Sequence, residues 1–95
     1  MNQYKLIWSP NSKSEYANLL QYIEKLYGTD AALDFLDQVE RIVESISVFP
    51  YAFPTSDKVP SFRKAVINRQ TSLFYRVNNQ TVEIVHFWDN RQDLQ

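Results

Sequence analysis

The side chains most capable of chemistry lie together in the last third of the chain. Residues 62–92 hold Arg63, Lys64, Arg69, Arg76 and Arg91, half of the 10 basic residues, interspersed with Glu83, His86 and Asp89. Histidine is the side chain whose ordinary pKa suits proton transfer near neutral pH. Cutting RNA through its 2′-hydroxyl needs a base for the hydroxyl proton, an acid for the leaving oxygen and positive charge at the phosphate. His86, the carboxylates Glu83 and Asp89, and the arginines supply candidates for each role. The same cations could instead dock an acidic protein segment without any chemistry.

Which residues can cooperate depends on the elements that carry them. Residues 62–67, 71–77 and 81–88 read as three successive strands, with Asn78-Asn79 suited to the positive backbone angles of a tight hairpin turn. Strand alternation sends Arg63 and Lys64 to opposite faces. It groups His86 with Ile84 and Trp88, and Glu83 with Val85 and Phe87. On that reading His86 and Glu83 form one site only if a bulge intervenes.

Upstream, residues 3–8 alternate as a first strand, and Ser9-Pro10 is a helix start: a side-chain cap followed by proline at the first helical position. Ser12 and Glu15 offer an alternative capping box one turn later. Tyr16, Leu19, Leu20, Ile23, Leu26 and Tyr27 then recur at helical spacing. Gly28, the single glycine, stands where a helix needs a left-handed terminator. Thr29 is placed to cap a second helix, whose stripe is Ala32, Phe35, Leu36, Val39, Ile42, Val43 and Ile46. Pro50 marks its end, and residues 50–61 read as an ordered, irregular loop. Trp8 and Phe35 are expected in the core. The order β-α-α-β-β-β defines an α+β domain over residues 1–95, a helical hairpin packed on a mostly antiparallel sheet.

Bulk properties narrow the function. The chain has 95 residues, 44% hydrophobic and 15% aromatic, enough for one core without staples. With no cysteine and one histidine, disulfides and Cys/His zinc sites are excluded, and nothing calls for a cofactor. No apolar run approaches the roughly 18 residues of a membrane span and no signal-peptide pattern is present, so a cytoplasmic location is expected. The formal net charge is −1. Residues 1–60 set five cations against eight acids, and residues 61–95 set five against three. That modest positive field does not suit strong non-specific nucleic-acid binding.

The element order, with several local motifs, resembles the RelE/ParE family of bacterial toxin–antitoxin modules. The matching pieces run through nearly the whole chain: Trp8-Ser9-Pro10, Tyr22-Ile23, Gly28 with Ala31-Ala32, and Phe49-Pro50. The tail carries the strongest match, in Arg63-Lys64-Ala65-Val66-Ile67, Leu73-Phe74-Tyr75-Arg76-Val77, Val82 to Val85 and Asp89-Asn90-Arg91-Gln92. The resemblance implies a toxin neutralised by a cognate antitoxin, with any DNA contact made only through that antitoxin. RelE-like members cut ribosome-bound mRNA, whereas ParE-like members inhibit DNA gyrase.

The two branches differ at one position here. The arginine that faces the phosphate in RelE-like nucleases aligns with Ser72, and serine supplies no cationic fork. Tyr75-Arg76-Val77 resembles the ParE branch. A ParE-like gyrase inhibitor is therefore the favoured expectation, with Arg63, Trp88, Asp89 and Arg91 meeting target or antitoxin. The alternative is a ribosome-dependent mRNA endoribonuclease using His86, Arg63 and Arg69; a third is an inactive member that only binds its antitoxin. Beside these stand plainer readings: His86 as a half-buried hydrogen-bonded strand residue, Lys64 and Arg69 as solvated or antitoxin-facing, Arg76 as an exposed charge.

Overall fold

Turn and cap chemistry sets the element boundaries in the computed structural model, which describes residues 3–90. Strand β1 (Lys5–Trp8) stops at Ser9, whose extended backbone and side chain begin helix α1 (Pro10–Tyr27). The Ser9 hydroxyl accepts from the Ser12 N–H at 3.0 Å, and Pro10 takes the first helical position, where no N–H is needed. The Ser12–Glu15 capping box is not used. Ser12 is fully buried inside the first turn, its hydroxyl donating to the Ser9 carbonyl at 2.8 Å, and Glu15 is committed elsewhere.

Gly28 alone joins α1 to α2 (Thr29–Val48). Its N–H closes α1 on the Glu24 carbonyl and its own carbonyl accepts from Ala32 in α2. Gly28, not Thr29, is thus the cap of α2; Thr29 is its first helical residue and turns its hydroxyl to Glu24. With φ 97° and ψ 172°, Gly28 lies outside the left-handed helical basin expected of it, in a region only glycine occupies comfortably.

After α2 a single 3₁₀ turn (Pro50–Ala52) and an irregular stretch lead to β2 (Arg63–Val66), β3 (Thr71–Asn78) and β4 (Thr81–Asp89). The hairpin turn between β3 and β4 is Asn79-Gln80, one residue later than expected, with Asn79 at φ 56°. The strand order is β1-β4-β3-β2. β1 runs parallel to β4 and the other neighbours are antiparallel, so the α+β architecture is as anticipated.

The core lies between the sheet and the helical hairpin. α2 contributes Phe35, Val39, Val43 and Ile46; the sheet contributes Ala65, Leu73, Tyr75, Val82, Ile84 and Phe87. α1 is more peripheral. Its Tyr16 stacks on Phe87 (5.2 Å between centroids) and on Trp8 (5.6 Å), so Trp8 borders the core as a half-buried ring. Leu26 and Tyr27, at the end of the α1 stripe, are exposed. Among the described residues every buried side-chain polar atom has a partner.

Candidate functional site

The sheet has one face against the helices and one that is open, and a bulge decides which residues reach the open one. β3 alternates regularly, with Leu73 and Tyr75 turned to the core. Opposite it, Phe74 pairs with His86 but Tyr75 pairs with Ile84, leaving Val85 as an extra residue. Ile84 and Phe87 can therefore both be core residues although they are three apart. The extra residue also corrects the expected grouping: His86 does not share a face with Ile84 but lies with Glu83 and Trp88 on the open side.

Four polar contacts surround the bulge. The Ser9 hydroxyl donates to the Val85 carbonyl at 2.8 Å, and the Ser9 N–H bonds the Ile84 carbonyl. β1 ends at this point, so the β4 edge beyond it would be left bare. Glu15 of α1 fills the gap: its Oε1 accepts from the Phe87 N–H at 2.9 Å, and its Oε2 lies 3.1 Å from Nδ1 of His86. His86 thus has a carboxylate partner, and it is Glu15. The two carboxylates nominated from the strand pattern lie elsewhere. Glu83 pairs with Arg76 at 2.6 Å on the sheet surface, and Asp89 sits opposite Thr71 at the end of β4.

Register then builds the floor of a groove. Lys64, Phe74 and His86 form one cross-strand row, and Val66, Ser72 and Trp88 form the next; of these six, Lys64, Phe74, His86 and Trp88 line the groove. The Lys64 ammonium lies 6.0 Å from the centre of the Phe74 ring. Residues 54–59 and Phe62 fold over this floor and enclose a groove of about 610 Å³. Its lining combines aromatic faces (Phe62, Phe74, Trp88) with Lys58, Lys64, His86 and one acid, Asp57. Rings beside cations suit a partner that is flat or apolar at one point and anionic at another.

Ser72 occupies the second row, and its side chain is fully buried. Its hydroxyl donates to Oδ1 of Asn90 at 2.9 Å, while the Asn90 N–H bonds the Gln70 carbonyl. This serine therefore ties the end of β4 to the β2–β3 turn and presents no charge to the groove.

The remaining candidates do not assemble. Arg63 pairs with Tyr75 and lies on the opposite side of β2 from Lys64. Its Nη1 donates to the Phe53 carbonyl at 2.6 Å and its guanidinium lies 5.0 Å from the centre of the Tyr51 ring. It anchors the segment after α2, away from the groove. Arg69 is exposed on the β2–β3 turn. The trio Arg63, Arg69 and His86 is thus not one site, and Arg63 does not join Trp88 and Asp89. Arg91 lies outside the described residues. Residues whose importance the sequence reading missed are Glu15, Phe62 and Phe74. One signal was available: inward residues run Val82, Ile84, Phe87, and that change of phase is the mark of a bulge.

Behind the sheet, Tyr75 is fully buried and its hydroxyl donates to the Pro50 carbonyl. Burial pushes its phenol up to about 12, against a smaller opposing pull from Arg63. Tyr16 is also raised, by burial and then by Glu40.

A helical hairpin over a four-stranded sheet is the architecture that the sequence resemblance implied, that of the small toxins of toxin–antitoxin modules. The chain belongs to the family described as the ParE toxin of the type II toxin–antitoxin system parDE, whose model matches residues 6–94. Searches of curated protein sequences give no significant match.

Solved structures share the fold at low identity. The chromosomal ParDE toxin–antitoxin system of P. aeruginosa superposes with a TM-score of 0.77 at 18% identity, covering 90% of this chain and 95% of that one. A YoeB/ParE toxin from Agrobacterium tumefaciens gives 0.65 at 14%, covering 90% and 96%. The E. coli DinJ-YafQ toxin–antitoxin complex gives 0.64 at 8%, covering 95% and 96%. Among the described residues no helix is long and apolar enough to cross a membrane.

Proposed function

We propose that this toxin arrests growth by binding a protein target, DNA gyrase, through the groove on the open face of the sheet, and that it does not cut RNA. The observation that carries this reading is Ser72. It lies one cross-strand row from Lys64, Phe74 and His86, beneath the groove rather than lining it, and is buried and bonded to Asn90, so it offers no cation to a phosphate there. The side chains across from it are Val66 and Trp88. A floor of this kind favours apolar and aromatic contacts at a protein interface. Membership of the ParE family and likeness to a ParDE system support the same target. Neutralisation by a cognate antitoxin follows from the module type.

One observation favours a second reading. His86 with Glu15 behind it, facing Lys64 across the Phe74 ring, has the components of a general acid–base pair beside a cation. An mRNA endoribonuclease would use them. Two assays on purified toxin separate the readings. Inhibition of gyrase supercoiling with ribosome-bound mRNA left intact supports the first. Site-specific mRNA cleavage that disappears in His86→Ala replaces it with the second.

A further inference from the structure

The walls of the open-face groove are held by the protein itself. On the β2 side runs a strap, residues 54–62, closed by its own backbone. The Lys64 N–H bonds the Pro54 carbonyl, the Ser56 N–H bonds the Phe62 carbonyl and the Phe62 N–H bonds the Val59 carbonyl. The Ser56 hydroxyl accepts from the Val59 N–H at 3.3 Å, and Thr55 bridges to Arg63. On the β4 side Glu15 holds both the His86 ring and the Phe87 N–H. An occupant meets walls that need little ordering, which spares part of the cost of association.

Size and lining restrict that occupant. A volume of about 610 Å³ falls within the roughly 300–1,000 Å³ of pockets that enclose a small ligand. It admits a few side chains of a projecting segment rather than the flat face of a domain. Phe62, Phe74 and Trp88 offer ring surface, and Lys58 and Lys64 offer ammonium groups against the single carboxylate of Asp57. The Lys64 ammonium stands 6.0 Å from the centre of the Phe74 ring, so one segment can cover a ring and reach a cation together.

The groove cations are lysines. Arginines, whose planar fork suits phosphate, are placed elsewhere. Arg63 bonds the Phe53 carbonyl behind β2, Arg76 pairs with Glu83 and Arg69 is exposed on the β2–β3 turn. A nucleic-acid backbone draws its affinity from many phosphate contacts along its path, which two ammonium groups beside a carboxylate do not supply. A single protein carboxylate needs only one point charge.

We propose that the groove seats an acidic segment of gyrase, with an aromatic or aliphatic side chain sunk among Phe62, Phe74 and Trp88 and a neighbouring carboxylate on the lysines. This rests on the reading of the chain as a gyrase inhibitor and adds the chemistry of the part it grips. The buried anchor supplies most of the affinity, as such side chains do at interface centres. The charges supply approach rate and selection between partners.

The test uses gyrase holoenzyme and full-length toxin. Affinity is measured at low and high salt for wild type, for Lys58→Glu with Lys64→Glu, and for Lys25→Glu, which reverses a charge at the exposed end of α1. Melting curves establish folding, and Lys58→Glu alone, at an exposed position, stands in if the double variant does not fold. The wild-type complex is also challenged with a random copolymer of glutamate and tyrosine and with a single-stranded RNA oligonucleotide. The groove variant should bind about tenfold or more weakly, and Lys25→Glu within about twofold of wild type. Wild-type affinity should fall with salt, and the copolymer but not the RNA should displace gyrase. Gyrase binding that survives the groove variant within about twofold and resists the copolymer overturns the proposal and leaves the gyrase reading intact. An equal loss in Lys25→Glu reduces the effect to net charge and overturns it. Displacement by the RNA alone assigns the groove to nucleic acid and overturns it too. Absence of any wild-type binding to gyrase removes the gyrase reading, and the proposal with it.

Discussion

Tyr75 shows how much one side chain can hold. Its ring is core and its hydroxyl satisfies the Pro50 carbonyl where the chain leaves α2. Tyr75→Phe keeps the ring and leaves that carbonyl short of a partner, which costs about 1–3 kcal/mol; a lowered urea midpoint at pH 7 is the expected result. The raised phenol adds a pH signature. The unfolded chain releases this proton near the ordinary tyrosine value of 10.0 and the folded chain only near about 12. Stability from this group is complete below pH 10 and declines as pH rises toward 12, by about 1.4 kcal/mol per unit. In Tyr75→Phe that decline should flatten, leaving the part due to Tyr16. Legibility at this scale was uneven. Ser72 was visible as a missing cation because serine carries no charge in any environment. Its bond to Asn90 was not, because 18 residues separate the partners. Arg63 was misplaced for a related reason: strand alternation gave its face relative to Lys64 but not which of the two faces was open.

Elements were more legible than sites because caps and periodicity act locally. Ser9-Pro10, Gly28 and Pro50 each mark a boundary that formed, whereas the β4 bulge depends on contacts brought by α1. Ser9 links the two levels, since one hydroxyl caps α1 and also donates to the bulge carbonyl of Val85. Ser9→Ala should therefore exceed a simple cap loss and destabilise by about 2 kcal/mol. Faster hydrogen exchange at the Phe87 amide would accompany the change in denaturation midpoint; an unaltered Phe87 amide would mean that the bulge does not depend on Ser9. Gly28 gives a second prediction. An added Cβ there meets nothing within 4 Å, so the penalty of Gly28→Ala is purely conformational, about 1–3 kcal/mol. Asparagine tolerates the left-handed helical basin but not an extended ψ of 172° at φ 97°. Gly28→Asn should thus melt no higher than Gly28→Ala, the reverse of the usual order at a helix terminus.

Taken whole, the molecule separates its charges and its surfaces. α2 carries Asp30, Asp34, Asp37, Glu40 and Glu44 with Arg41 as its single cation, while Lys58, Lys64 and His86 face the groove on the far side of the sheet. The net charge of −1 conceals this division, which the sequence shows only as an acidic stretch over residues 1–60 and a basic one over 61–95. If the groove meets the target, toxicity must depend on the charge the groove presents. Lys64→Glu reverses a charge on the groove floor and leaves every core side chain in place. It should abolish growth arrest on induced expression while the protein still copurifies with its antitoxin. A variant that loses both properties would show instead that antitoxin and target compete for one continuous surface.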